Sequence, residues 1–268
     1  MSKIHQGKPW PLGSTITSRG VNFCVAAPTA SRIELLLFNK PNAIRPKETI
    51  HLNDKNRSGE YWHVEIEGVK AGWCYCYRVF REGNNEANID YSSKVLLDPC
   101  ARAISGWNIY DRKSAKGQLD NIDTCLKGVV CERNQFDFIS HPRPRHPWHQ
   151  SVIYELHVGG FTNNSKSKVQ SPNRGTFLGL IEKIPYLREL GITTLELLPI
   201  FSFDSSDAPE GVENYWGYSP INWFTPHQKY VSEKSPLSAR DQFRKFVEVC
   251  HDNAIEVILD VVYNHTTE

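Results

Sequence analysis

The sequence carries almost no excess charge: 31 Lys and Arg against 30 Asp and Glu leave a formal +1. That removes the field by which a protein draws in nucleic acid or an anionic membrane, and no run rich in Lys and Arg restores it locally. Met1–Pro11 lacks the apolar core of a secretory leader, and no stretch is long and apolar enough to cross a bilayer. No CxxC pair occurs among the seven cysteines, Cys24, Cys74, Cys76, Cys100, Cys125, Cys131 and Cys250. An odd count without that spacing argues against a disulfide framework and against a zinc site. It fits reduced, buried thiols in a cytoplasmic protein.

What is present is the composition of a soluble globular chain, 40% hydrophobic and 23% charged. Its 268 residues suffice for one large domain or two ordinary ones. The strongest local signal is Glu256–Thr266, a near-continuous apolar run interrupted by Asp260 and followed by Asn264 and His265. Such a run suits a strand buried on both faces of a parallel sheet. A carboxylate inside it is costly unless it is hydrogen-bonded. Polar groups at the C-terminal end of a parallel strand sit where barrel enzymes build their sites.

Residues 1–110 read as short alternating strands: Val21–Val25, Arg32–Phe38, Tyr61–Ile66 and Trp73–Phe80. Turn-formers separate them, among them Asn53–Gly59, Gly68 and Gly83-Asn84-Asn85. This spacing predicts a β-sandwich. Aromatics are 11% of the chain, with seven Trp, which leans toward a sugar- or aromatic-binding surface. Alternation nevertheless assigns Trp62 and Trp73 to the sandwich core ahead of an exposed platform. The proline-rich run 141–149 reads as an extended, solvated connector. It sets a boundary between domains at residues 1–145 and 146–268.

The second half alternates strand and helix. Val152–Val158 is a strand closed by Gly159-Gly160. Thr176 caps a helix that Pro185 should kink or restart and that Gly191 is placed to end. Thr194–Leu198 is a strand stopped by Pro199, and a long aromatic loop runs from Ile200 to about Ser235. Ser238 opens a helix that Asn253 closes, and Glu256–Thr266 follows. Alternation of this kind implies right-handed βαβ units and a parallel sheet. Three such strands make either a small open sheet, with edges prone to aggregation, or the start of a larger fold. The apolar character of all three favours the second. Glu155 and Glu196 are expected to be hydrogen-bonded within the sheet, and His157 to be a structural or outer-wall residue.

Asp260-Val261-Val262-Tyr263-Asn264-His265 resembles the first signature region of the α-amylase superfamily, glycoside hydrolase family 13. Asn214–Pro220, Ile153–Thr162 and Leu195–Pro199 resemble the loops and strands of its isoamylase and bacterial glycogen debranching members. Gly20–Phe23, Ala27-Pro28 and Leu97-Asp98-Pro99 are similar to carbohydrate-binding module family 48. The implied fold is an immunoglobulin-like β-sandwich followed by the first three β/α units of a (β/α)8 TIM barrel, truncated.

The resemblance implies an O-glycosyl hydrolase that cleaves α-1,6 bonds of glycogen, amylopectin or branched maltodextrin with retention. It makes Tyr218 the aromatic that stacks on the glucose at subsite −1, with Trp216 in the same loop. His265 would hydrogen-bond the primary hydroxyl, and Asp260 would organise that wall. Asn264 binds calcium in many α-amylases but need not in debranching enzymes, so no cofactor or metal is expected. Ala254 stands where the family usually has Gly, and Gly159 where many isoamylases have Arg. A retaining mechanism needs two carboxylates about 5 Å apart, and the resemblance puts them on the fourth and fifth strands. No catalytic residue is therefore expected in these 268 residues, and the chain alone is expected to be inactive. Two other readings stay open: a non-catalytic α-glucan-binding remnant, and the front end of a branching enzyme or trehalose-releasing hydrolase.

Overall fold

A computed structural model of the chain describes residues 2–81, 93–132, 137, 139–235, 238–264 and 266–267. The turn expected at Gly83–Asn85 lies outside them. The chain divides into two compact units, Met1–Asn134 and Gln135–Thr267.

The first unit is a sandwich of two antiparallel sheets. One contains β1 (Ile4–His5), β2 (Gly13–Ile16), β3 (Gly20–Ala26), β6 (Arg57–Ser58) and β7 (Tyr61–Glu67). The other contains β4 (Arg32–Phe38), β5 (Glu48–Leu52), β8 (Cys74–Phe80), β9 (Ile104–Ser105) and β10 (Lys127–Val129), with the short α1 (Arg112–Lys116) outside it. Alternation puts Val21, Phe23, Trp62, Val64 and Ile66 of one sheet against Ile33, Leu35, Leu37, Tyr75 and Tyr77 of the other. Burying each such side chain is worth about 1.5–3 kcal/mol. Trp62 is fully buried, and its indole N–H donates to the Ala27 carbonyl at 3.1 Å. Trp73 packs against the same core. Both tryptophans therefore fill the sandwich, as their alternating positions predict.

The second unit has a parallel sheet in the order β11 (Ile153–Leu156), β12 (Thr194–Leu197), β15 (Glu256–Leu259). Between its strands lie α2 (Val158–Thr162), α3 (Phe177–Ile181), α4 (Ile184–Glu189) and α5 (Ala239–Asp252). The local signals behave as their chemistry requires. The Thr176 hydroxyl caps α3 by accepting from Gly179 N–H, Ser238 caps α5 by accepting from Asp241 N–H, and Asn253 closes α5. Pro185 sits in the first turn of α4, where its missing N–H is harmless. The chain therefore restarts a helix there, one of the two outcomes expected of Pro185.

Two expectations are corrected. The apolar strands do not bury both faces among the described residues. Leu156, Leu195 and Leu197 pack against the helices, whereas Ile153, Glu155 and Ile258 on the opposite face are exposed. The aromatic loop holds a hairpin, β13 (Phe201–Phe203) with β14 (Pro220–Pro226), whose register shifts hide its period. The proline-rich connector is largely exposed, as expected of a solvated segment, and it is also pinned to the second unit. His141 bonds Asp252 at 2.7 Å, Arg145 N–H donates to Glu256 at 2.9 Å, and His146 meets the Ala254 carbonyl at 2.8 Å.

Candidate functional site

The parallel ladder runs one residue past β15, where Asp260 N–H donates to the Leu197 carbonyl at 3.0 Å. This places the Asp260 carboxylate at the C-terminal end of the sheet. Tyr218 reaches the same point from the loop before β14, and its phenol donates to Asp260 Oδ2.

Local chemistry aims that loop. Gly217 has φ +76°, and a Cβ there would lie 2.6 Å from the Phe203 ring. Only glycine turns the chain so tightly against an aromatic. The Asn214 side chain closes the turn by accepting from Gly217 N–H at 3.1 Å. Beyond Tyr218, Thr267 N–H donates to the Pro220 carbonyl at 3.2 Å and its hydroxyl donates to Ser219 O at 2.5 Å. The segment after β15 thus returns to the loop that carries Tyr218.

The Tyr218 phenol is pushed up to about 12, first by its bond to Asp260, then by desolvation and by the carboxylates of Asp260, Glu155 and Glu196. Glu155 and Glu196 are neighbours in the parallel register. Among the described residues neither accepts a side-chain hydrogen bond, which corrects the expectation that both are bonded within the sheet. They face the open side of the sheet beside Ile258.

Trp216 is 56% exposed and stands edge-on to Tyr215, with ring centroids 5.6 Å apart. Asn264 is exposed in the turn at 263–264, and His265 lies outside the described residues. Among the described residues, the one group of metal-ligating His, Asp and Glu side chains is His141, Glu248 and Asp252, none of them close in sequence to Asn264. The structure therefore brings Tyr218 and Asp260 together and leaves Trp216 presented to solvent beside them in sequence.

His157 has a defined role. Its Nδ1 accepts from Gly160 N–H at 2.9 Å and caps α2. The ring proton is then on Nε2, which faces the Tyr215 carbonyl and the Tyr230 hydroxyl, each at 3.0 Å. Burial holds the imidazole below its ordinary pKa, against the pull of the Tyr215 carbonyl. The neutral ring stacks under Tyr215, with centroids 4.1 Å apart and planes 17° apart. Phe203, Asn214 and Thr267 have no place in the sequence-level site. Of these, the Asn-x-x-Gly spacing of an Asx turn was the findable signal.

An aromatic side chain fixed to a carboxylate can hold a sugar ring by stacking and hydrogen bonding.

Comparison with known proteins bears on the family. Residues 109–268 match the family described as alpha amylase, catalytic domain. Residues 11–101 match carbohydrate-binding module 48, the isoamylase N-terminal domain. The chain is 37% identical over 279 residues to the glycogen debranching enzyme of Erwinia tasmaniensis, which covers all of this chain and 41% of that protein. It is 36% identical to isoamylase 3, chloroplastic, of Oryza sativa subsp. japonica, over 99% of this chain and 35% of that one. The pullulanase from Bacillus acidopullulyticus superposes with a TM-score of 0.73 at 25% identity, over 96% of this chain and 30% of that one. The chain thus spans about two-fifths of the length of the curated relatives it matches. In the first unit the strand β10 pairs with β8 although it lies inside the residues that match the catalytic domain. With a carbohydrate-binding module 48 sandwich ahead of the first three strands of a barrel, this chain belongs to the α-amylase family, glycoside hydrolase family 13, and corresponds to the N-terminal portion of its isoamylase and glycogen debranching type.

Proposed function

We propose that this chain supplies the substrate-positioning part of an enzyme that hydrolyses α-1,6 branch points of glycogen or starch with retention, in the cytoplasm. The observation that carries the reading is the Tyr218–Asp260 bond at the C-terminal ends of the parallel strands. A tyrosine clamped in this way presents a fixed ring face, which suits stacking on the glucose at subsite −1. Trp216 extends the aromatic surface, and the family pattern gives His265 the primary hydroxyl and Asn264 a place in the same wall. The nucleophile and acid/base belong by that pattern to barrel strands four and five, so residues 1–268 alone bind glucan without cleaving it.

Two measurements on the purified chain test this. Retarded migration in an amylopectin gel, weakened in Tyr218→Ala, is the expected result, and unretarded migration of the unaltered chain would refute the glucan reading. A reducing-sugar assay on amylopectin is expected to stay at background, and release of reducing ends would refute the assignment of the chemistry to other strands.

A further inference from the structure

A second concavity lies in the barrel unit and contains neither Tyr218 nor Asp260. It is a cleft of about 320 Å³ between the segment after β11 and the loop that leads to β14. One wall is bare backbone. A Cβ on Gly160 would stand 2.4 Å from the Tyr215 hydroxyl, one on Gly159 would stand 3.1 Å from the His157 ring, and Gly175 has φ +72°. The cleft owes its room to these glycines. Opposite them stands Tyr215, half exposed and stiffened from below by the neutral His157 ring.

The polar rim is mixed. Glu213 and Lys229 pair at 2.8 Å, and Arg174 is tethered through Nε to the Val169 carbonyl at 3.0 Å. Asn163 contributes an amide. A carboxylate in the wall disfavours an anion. Planar donors and acceptors side by side match vicinal hydroxyls, each of which can donate and accept. The volume is at the small end of ligand sites, which run from about 300 Å³ upward, and admits a pyranose ring.

We propose that this cleft binds a glucosyl unit of an α-glucan, apart from the Tyr218–Asp260 wall. The proposal rests on the glucan reading given above, and it makes the barrel unit a holder of glucan at two places.

The test is titration of the ¹⁵N-labelled 268-residue chain with maltotriose, read at backbone amides. Shifts at Gly159, Gly160 and Gly175 are expected. Gly159→Arg, which fills the cleft, and the surface double variant Glu213→Ala with Lys229→Ala should each weaken them about tenfold or more. The Tyr218 and Asp260 amides should respond as before. The double variant keeps the test open if Gly159→Arg fails to fold. Shifts at Tyr218 and Asp260 with none in the cleft would overturn the second site and leave the first reading standing. Shifts in the cleft with none at Tyr218 would support the second site and remove the first. No shift anywhere would remove both. Cleft shifts of unchanged affinity in the two variants, or a response to inorganic phosphate but not to maltotriose, would also overturn the proposal.

Discussion

Tyr218 donates its phenolic proton to the carboxylate of Asp260, across 42 residues of sequence. The carboxylate is held by the ladder of the parallel sheet and the tyrosine by a glycine turn, so the bond joins a rigid element to a shaped loop. Because the anion stabilises the protonated phenol, it sets the acidity of Tyr218. In Asp260→Asn the Tyr218 phenol should ionise well below the value of about 12 that it has in the unaltered chain, moving toward the ordinary tyrosine range. An alkaline titration followed by tyrosinate absorbance or by the ring resonances reads this directly. An unchanged high-pH tyrosine in the variant would mean that burial, not Asp260, is the cause.

Gly217→Ala should disorganise the same site from the other side. The added methyl would meet Phe203 at 2.6 Å in a left-handed backbone. The conformational strain alone is about 1–2 kcal/mol, and the clash adds to it. Denaturant unfolding should show a loss of about 2 kcal/mol or more, together with weakened retention on amylopectin. A variant of unchanged stability would show that the turn is not what fixes Tyr218.

Ala254 adopts φ +56°, a left-handed conformation that a β-carbon disfavours. It follows the Asn253 cap of α5 and leads into β15. Ala254→Gly should therefore stabilise the second unit by about 0.5–1 kcal/mol, the relief of strain less the extra entropy of glycine in the unfolded chain. Urea unfolding measures it, and a destabilised variant would contradict the strain argument.

Asp98 is fully buried in the sandwich, where Tyr75 and the Cys100 amide bond its two oxygens, each at 2.8 Å. Burial outweighs those bonds and raises its pKa from 3.8 to about 6. The folded state thus holds the proton more tightly than the unfolded one. Its contribution is complete below the unfolded pKa and is lost as pH rises through about 6. A shift of this size corresponds to about 3 kcal/mol. Unfolding of the first unit should become easier as pH rises across that window, and Asp98→Asn should flatten the dependence. Equal slopes in both proteins would exclude Asp98 as the source.

His141 ties the proline-rich connector to α5. Its pKa is raised first by the hydrogen bond to Asp252, with Glu248 and Asp137 adding to the effect. The sign for a raised histidine is that the tie is intact at low pH and is lost as pH rises through the raised value. The Arg145 amide, which donates to Glu256 in the same segment, should exchange faster beyond the rise expected from base catalysis alone. In Asp252→Asn the His141 ring should titrate lower. An unshifted ring resonance in that variant would break the link.

Local chemistry was readable from the residues themselves. Thr176, Ser238 and Asn253 cap helices because their side chains bond neighbouring backbone groups, and such bonds need no distant partner. The alternating strands of the sandwich followed for the same reason. The hairpin β13–β14 escaped detection because its shifted register destroys the period of two on which detection depends. The helix after β11 escaped because Gly159-Gly160 reads as a breaker, whereas His157 caps it from outside.

By itself, then, the sequence determined most of the element types, the parallel pairing and the family, since propensity, capping and apolar period act over a few residues. Only the tertiary structure decided that Asp260 takes the Tyr218 proton, that the connector is bound, and that one face of the parallel sheet stays open among the described residues. Those facts depend on which groups meet across dozens of residues, and an apolar run states that burial is favourable without stating what covers it.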